Sequence, residues 1–248
     1  MSKISFGFDE KDYKTLLQQL FAEFIGTFLY LSIVLLAGTF QTSQVGIALA
    51  NGLLVASVVQ IIGDISGGHI NPGVTLGVLV YGGIKPFTAI MYIIAQILGA
   101  ILGSAVAYAV TESGTRGNLG ATVPFVGIRA DQAFGLEVLM TFLLVAVVLS
   151  VNERKAHGTA LSIGLCITAC QSSAVLYTGS LNPARSLGPA VVMNIWTHHW
   201  VYWAGPILGG ILAGITCRYL FKYNTQDYFS IKKNRKNHTL ITLANKIY

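Results

Sequence analysis

The stretches SGGHINPGVTLG (66–77) and TGSLNPARSLGPAVV (178–192) carry the same Asn-Pro phrase, and each interrupts a long apolar region. The first phrase is Asn71-Pro72-Gly73 and the second is Asn182-Pro183-Ala184. Asparagine is a favoured helix N-cap, and proline is favoured at the first helical position because its missing N–H group is not needed there. Each phrase therefore predicts the start of a helix.

The two helices that begin at these phrases are expected to be short. Apolar sequence runs for only about ten residues, to Gly82-Gly83 in the first case and to Asn194 in the second. At 1.5 Å per residue, ten residues reach ~15 Å, about half of a bilayer's ~30 Å hydrocarbon core. Two half-length helices with the same cap predict one membrane crossing assembled from both halves of the chain.

The composition is typical of a membrane protein. Of 248 residues, 53% are hydrophobic and only 10% are charged, whereas about a quarter of a soluble domain is charged. The net charge of +6 comes mainly from the tails and two short loops, so it indicates topology rather than nucleic-acid binding. No cluster of nucleophile and base or of metal ligands is visible, so we expect neither an enzyme nor a bound metal or cofactor.

The hydropathy pattern predicts an all-α membrane protein with six transmembrane helices and two half-helices. A polar tail (1–14) precedes the membrane domain (15–222), and a basic tail (223–248) follows it. The half-helices are expected at about 72–80 and 183–193. The six full spans are expected at about 16–37, 44–63, 87–110, 132–151, 158–177 and 199–221.

The two halves of the membrane domain repeat each other. AEFIGTF (22–28) matches LEVLMTF (136–142) at an offset of 114 residues, and the Asn-Pro phrases match at an offset of 111. The repeats cover about 15–110 and 131–222. Because each contains three spans, an odd number, the second repeat must be inverted in the membrane, and the half-helices must enter from opposite faces.

The distribution of lysine and arginine predicts the orientation. With six spans, both tails share one side of the membrane with Lys85 and Arg154-Lys155, and that side holds 13 of the 16 basic residues. Basic loops stay in the cytoplasm. We therefore expect a multi-pass protein of the cell membrane with both termini cytoplasmic.

Two helix N-termini that meet at the bilayer midplane bring partial positive charge and free N–H donors to one point. The Asn71 and Asn182 amides add donors there, which suits a small neutral solute and repels cations. Arg185 lies one helical turn after Asn182, whereas the first repeat has Val74 at the matching position. A charged residue inside a membrane is by default a functional candidate.

At these residues the sequence resembles the aquaporin, or major intrinsic protein, family, over about 14–222. The resemblance implies a homotetramer in the lipid bilayer, with one passive pore for water in each subunit. It implies that Asn71 and Asn182 orient permeating molecules and that His69 lines the cytoplasmic approach. It also implies that Glu23 and Glu137 brace the loops by accepting backbone hydrogen bonds.

The resemblance further implies an outer selectivity filter of Asn51, Gln171, Ser180 and Arg185. Water-selective relatives usually have an aromatic residue in place of Asn51 and a histidine in place of Gln171; counting back from Asn182 places Cys170 there instead. Losing the aromatic ring is expected to widen the filter, which would admit glycerol or urea. Ser186, in contrast, resembles water channels. Water is the expected permeant; the alternatives are a glycerol and urea facilitator or, less favoured, a secondary transporter of a small neutral solute.

Overall fold

In the computed structural model, which describes residues 10–40, 43–154, 158–174 and 179–221, the protein is all-helical, with no strand in those ranges. A short π-helix, Cys217–Phe221, continues the last helix. The eight α-helices are α1 (Glu10–Phe40), α2 (Gln44–Ser66), α3 (Pro72–Tyr81), α4 (Pro86–Val110), α5 (Ala130–Arg154), α6 (Thr159–Ala174), α7 (Pro183–Met193) and α8 (Val201–Thr216).

The expected membrane spans correspond to long apolar helices. Among the described residues, five helices are long and apolar enough to cross a membrane: α1, α2, α4, α5, and α8 with its π-helical end. The remaining span, expected at 158–177, is described as α6 up to Ala174, and residues 175–177 lie outside the described ranges. Helix α1 begins at Glu10, so the end of the expected polar tail is already helical.

The half-helices form as the Asn-Pro phrases predict. Helix α3 has 10 residues and α7 has 11, and each has an asparagine N-cap followed by proline. The first half-helix ends at Gly82 and the second at Asn194, both in the left-handed conformation that closes helices. Local cap chemistry therefore sets both ends of both half-helices.

Small residues let the helices approach closely, as the Gly99-x-x-x-Gly103 spacing predicts. A Cβ atom on Gly103 would lie only 2.5 Å from the Phe28 carbonyl oxygen of α1, so a larger residue would force α4 away. In the second repeat, α8 packs against α5 in the same way. The close-packed glycines of α8 are Gly205 and Gly209 against α5, and Gly210 and Gly214 against α3.

The packing follows the inverted repeat. Helix α1 packs on α4 as α5 packs on α8, and α7 packs on α4 as α3 packs on α8. The pair α2 and α6 closes the arrangement, because Gly52 and Gly164 bring their backbones together. The two half-helices thereby lie inside the bundle, where irregular backbone is tolerated in a membrane.

Candidate functional site

The N-termini of the half-helices meet through reciprocal hydrogen bonds. Asn71 Nδ2 donates to the Leu181 carbonyl oxygen at 2.7 Å, and Asn182 Nδ2 donates to the Ile70 carbonyl oxygen at 2.8 Å. Each asparagine Oδ1 also accepts backbone N–H groups in the first turn of its own helix. Since an amide nitrogen carries two hydrogens, each side chain keeps one N–H group for a molecule in the cavity that both residues line.

The residues before the asparagines hold an unusual backbone conformation. Ile70 has φ 45° and Leu181 has φ 56°, in a region that bulky residues seldom enter. Their carbonyl groups accept from the asparagine of the opposite repeat. Their N–H groups donate to the buried carboxylates of Glu23 and Glu137, at 2.7 Å in both cases. Both polar groups of each residue are thus satisfied, which holds the turn in place.

Glu23 and Glu137 have equivalent surroundings. Each is fully buried and accepts two consecutive backbone N–H groups from the loop before its half-helix. Glu23 also accepts from Gln96 Nε2 at 2.8 Å and from the Ser66 hydroxyl at 2.7 Å. Each carboxylate thus ties the loop before its half-helix to the long helix that carries the acid.

A narrow cavity lies between the two caps. It has a volume of about 30 Å³ and is lined by Asn71, Asn182 and Ser180 among mainly apolar side chains. Because one water needs roughly 10–15 Å³ of such space, it holds about two waters. His69 lines this cavity and also a wider one of about 570 Å³ on the side of Lys85, so it marks the junction between the two.

Asn51 and Gln171 belong to one chain of hydrogen bonds. Asn51 Nδ2 donates to Gln171 Oε1, and Gln171 Nε2 donates to the Gly179 carbonyl oxygen, both at 2.7 Å. The Tyr30 hydroxyl donates to Asn51 Oδ1 at 2.8 Å. In each of these three bonds, the donor is on the Tyr30 side and the acceptor on the Gly179 side. The partners therefore determine where the oxygen and the nitrogen of each side-chain amide lie.

Arg185 lies beside this chain. Its side chain is buried, its Nη1 donates to the Gly120 carbonyl oxygen at 2.6 Å, and its guanidinium interacts with the Tyr30 hydroxyl. Within the described ranges, no carboxylate lies within 4.0 Å of it and its Nε has no hydrogen-bond partner. Among the described residues, the charge is therefore not neutralised by an ion pair.

The loop between α4 and α5 holds the start of α7 at two points. Gly120 binds Arg185, and the Thr122 hydroxyl donates to the Ser186 hydroxyl at 2.6 Å. The Ser186 hydroxyl in turn pairs with that of Ser180, which lines the narrow cavity. No sequence pattern indicated the contacts of Gly120 and Thr122 with α7, because each joins segments more than 60 residues apart.

Of the two candidates in α6, Gln171 and Cys170, Gln171 is the one joined to Asn51. The Cys170 thiol instead lies 4.0 Å from the Met140 carbonyl oxygen of α5. The Cys170 thiol is therefore directed toward a neighbouring helix.

Tyr30 is a further site residue that no sequence motif indicated. It lies seven residues after Glu23, two helical turns along the same face of α1, and that spacing from a buried acid could have indicated it. Leu144 lies seven residues after Glu137 and lines the same narrow cavity. The repeats are thus equivalent in backbone but differ in chemistry, as Arg185 and Val74 also do.

A bundle of membrane-spanning helices, with two capped half-helices meeting head to head beside a narrow cavity, defines a transmembrane channel. The model of the family described as "Major intrinsic protein" matches residues 10–217. The chain belongs to this family, the aquaporin family, and is a multi-pass membrane protein.

Individual relatives agree with this assignment. The chain is 42% identical to the lens fiber major intrinsic protein of Lithobates pipiens over 206 residues, which is 79% of this chain and 78% of that protein. It is 42% identical to aquaporin-4 of Mus musculus over 180 residues, 71% of this chain and 56% of that protein. The X-ray structure of the aquaglyceroporin from Plasmodium falciparum has the same fold, with a TM-score of 0.75 at 24% identity, covering 83% of this chain and 97% of that one.

Proposed function

We propose that the protein is a passive channel that conducts water down osmotic gradients and excludes protons and ions. The observation that carries the proposal is the cavity of about 30 Å³ between the half-helix N-termini, lined by Asn71 and Asn182. Donors and helix dipoles favour an acceptor oxygen there and oppose a cation. The buried positive charge of Arg185 is a second feature that opposes the passage of cations.

The proposal includes the orientation and the assembly that the sequence suggested. Both termini are placed in the cytoplasm of a cell membrane, so that the wide cavity beside Lys85 is the cytoplasmic vestibule and Arg185 lies toward the outside. The assembly is a homotetramer with one pore per subunit. Many apolar side chains on the helices are exposed in the single chain, and lipid or neighbouring subunits would cover them.

A glycerol and urea facilitator is the second candidate, and the polar pair Asn51 and Gln171 favours it. Amides at these positions offer hydrogen bonds to a larger polar solute. A secondary transporter has less support, because Glu23 and Glu137 are each engaged by backbone N–H groups rather than free to bind a coupling ion.

Stopped-flow light scattering of vesicles containing the purified full-length protein tests the proposal. With an osmolyte that cannot cross, the vesicles are expected to shrink much faster than empty vesicles, with a low activation energy and no dependence on ions. Glycerol and urea gradients then measure solute entry. Shrinkage no faster than in empty vesicles would contradict the proposal.

A cysteine substitution shows whether the flow passes through the narrow cavity. Ser180→Cys places a thiol on its wall, so a mercurial is expected to block water flow and a reducing thiol to restore it. Ser57→Cys is the matched control, because Ser57 is exposed on α2. Equal responses of the two variants would place the water path elsewhere.

A further inference from the structure

Tyr30 gives the pore an aromatic ring at a place where the resemblance does not expect one. Position 51, where water-selective relatives carry the aromatic residue, is asparagine. Tyr30 comes from α1 instead, is 3% exposed, and lines the narrow cavity together with both cap asparagines and Ser180. The ring therefore lies on the path that leads from the caps to the layer of Asn51, Gln171 and Arg185.

The hydroxyl group of Tyr30 connects the ring to the layer of Asn51, Gln171 and Arg185. It donates to Asn51 Oδ1 at 2.8 Å, and the Arg185 guanidinium interacts with the same hydroxyl. Asn51 is itself held by Gln171, which is held by the Gly179 carbonyl. Moving the ring out of the lumen would break its bond to Asn51 and leave a buried amide oxygen without that donor.

The second repeat shows that the backbone does not need an aromatic residue at this kind of position. Leu144 is the counterpart of Tyr30, lines the same cavity, and is buried against the same core. Leucine is shorter than tyrosine and has no hydroxyl group. In the outer half of the pore, Tyr30 is therefore longer than Leu144 and makes a hydrogen bond that Leu144 cannot make. The packing of the helices requires neither feature.

We infer that Tyr30 is a specificity-determining residue: its ring, pinned by Asn51, replaces the missing aromatic of the second span and excludes solutes as wide as glycerol. This inference rests on the proposed water channel and adds which residue makes the filter narrow. It also changes the expectation that Asn51 widens the filter, because Asn51 here serves as the acceptor that holds the ring.

The test compares water and glycerol permeability of wild type, Tyr30→Leu and Tyr30→Phe in the vesicle assay. Tyr30→Leu copies the residue of the second repeat and is expected to raise glycerol permeability at least about tenfold, the lower end of what a change of pocket packing achieves. Tyr30→Phe keeps the ring and is expected to raise it less. The readout is the ratio of glycerol to water permeability, which is expected to rise most in Tyr30→Leu.

Phe28→Leu is the matched control, because it removes an aromatic ring from the same helix, where Phe28 stacks on Phe24. It is expected to leave glycerol exclusion unchanged. If Tyr30→Leu does not reach the membrane, Tyr30→Met removes the ring with a side chain that adapts to irregular space. Glycerol entry is expected to rise in that variant too.

The outcomes separate the inference from the proposed function. A wild-type protein that conducts no water contradicts the proposed function, and the inference falls with it. Water conduction together with unchanged glycerol exclusion in Tyr30→Leu or Tyr30→Met refutes the inference alone. Rapid glycerol entry through the wild type refutes it as well, because an intact Tyr30 should prevent that entry.

Discussion

Replacing Gly210 with alanine is expected to push the first half-helix out of position. Gly210 of α8 packs directly on the backbone of Gly73, the second residue of α3. A Cβ atom on Gly210 would lie 2.2 Å from the Gly73 carbonyl oxygen, and real Cβ atoms stay beyond 3.0 Å, so the gap is 0.8 Å too small. Because the obstacle is backbone, no side-chain rotation relieves it.

The consequence for the pore follows from the same distance. If the full 0.8 Å is passed to the cap, the bond of 2.7 Å between Asn71 Nδ2 and the Leu181 oxygen lengthens to 3.5 Å, the limit of hydrogen bonding. Overpacking costs about 1–3 kcal/mol, and alanine in a helix returns about 1 kcal/mol relative to glycine. We expect a net loss of stability of about 2 kcal/mol at most and a lower water permeability per channel.

Alanine substitutions at Gly73 and Gly135 provide two further variants in which the new Cβ atom is less crowded than at Gly210. At Gly73 the new Cβ atom would lie 3.0 Å from the Pro206 oxygen, so α8 must yield slightly and little change in stability is expected. At Gly135 of α5 nothing lies within 4 Å, and alanine should be neutral or stabilising. Thermal unfolding in detergent and vesicle swelling are measured for all three.

Stability is expected to fall in the order Gly135→Ala, Gly73→Ala, Gly210→Ala. A Gly210→Ala protein as stable and as permeable as wild type would show that the close packing of α8 on α3 does not hold Asn71 in place.

Three other measurements probe the surroundings of the pore. Glu137→Gln should reduce stability by about 1.5–3 kcal/mol, since it loses hydrogen bonds to a charged acceptor, whereas the exposed Glu112→Gln should be neutral in the same unfolding assay. Burial lowers the pKa of His199, which accepts from the Trp203 indole, so the folded state binds fewer protons than the unfolded state. Stability should therefore fall as pH drops below about 6.5, and less so in His199→Gln; a pH series of melting temperatures checks this. Mercurials should inhibit wild type only weakly, because the Cys170 thiol faces α5, and strong inhibition that Cys170→Ser removes would contradict that placement.

Much of the fold was predictable because it depends on local properties of the chain. The half-helices follow from an asparagine cap, a proline at the next position and a short apolar run, and α3 and α7 begin at the predicted residues. The expected spans follow from apolar length, and the Gly99-x-x-x-Gly103 spacing lies where α4 packs closely on α1. Helix α1 begins at Glu10, before the expected span, and hydropathy did not indicate its first turns because they are polar.

The site was predictable in part. Counting along the chain gave Asn51, Gln171 and Arg185 as candidates for an outer filter. In the structure Asn51 bonds to Gln171, and Tyr30 lies beside both Asn51 and Arg185. The sequence did not indicate Tyr30, nor the loop carbonyl of Gly120 that receives Arg185. Both contacts join separate segments, and their existence depends on how far each helix is rotated about its axis.

The sequence by itself determined the plan of this protein: two inverted repeats, a capped half-helix in each, and a single arginine that breaks the symmetry. Cap chemistry, apolar length and the odd number of spans are properties of the covalent chain, so no packing information was needed. Only the tertiary structure decided which side chains meet in the lumen. The packing of α1 on α2 and of α5 on α6 places Tyr30 against Asn51 and Cys170 against α5, at distances that spacing along one chain cannot specify.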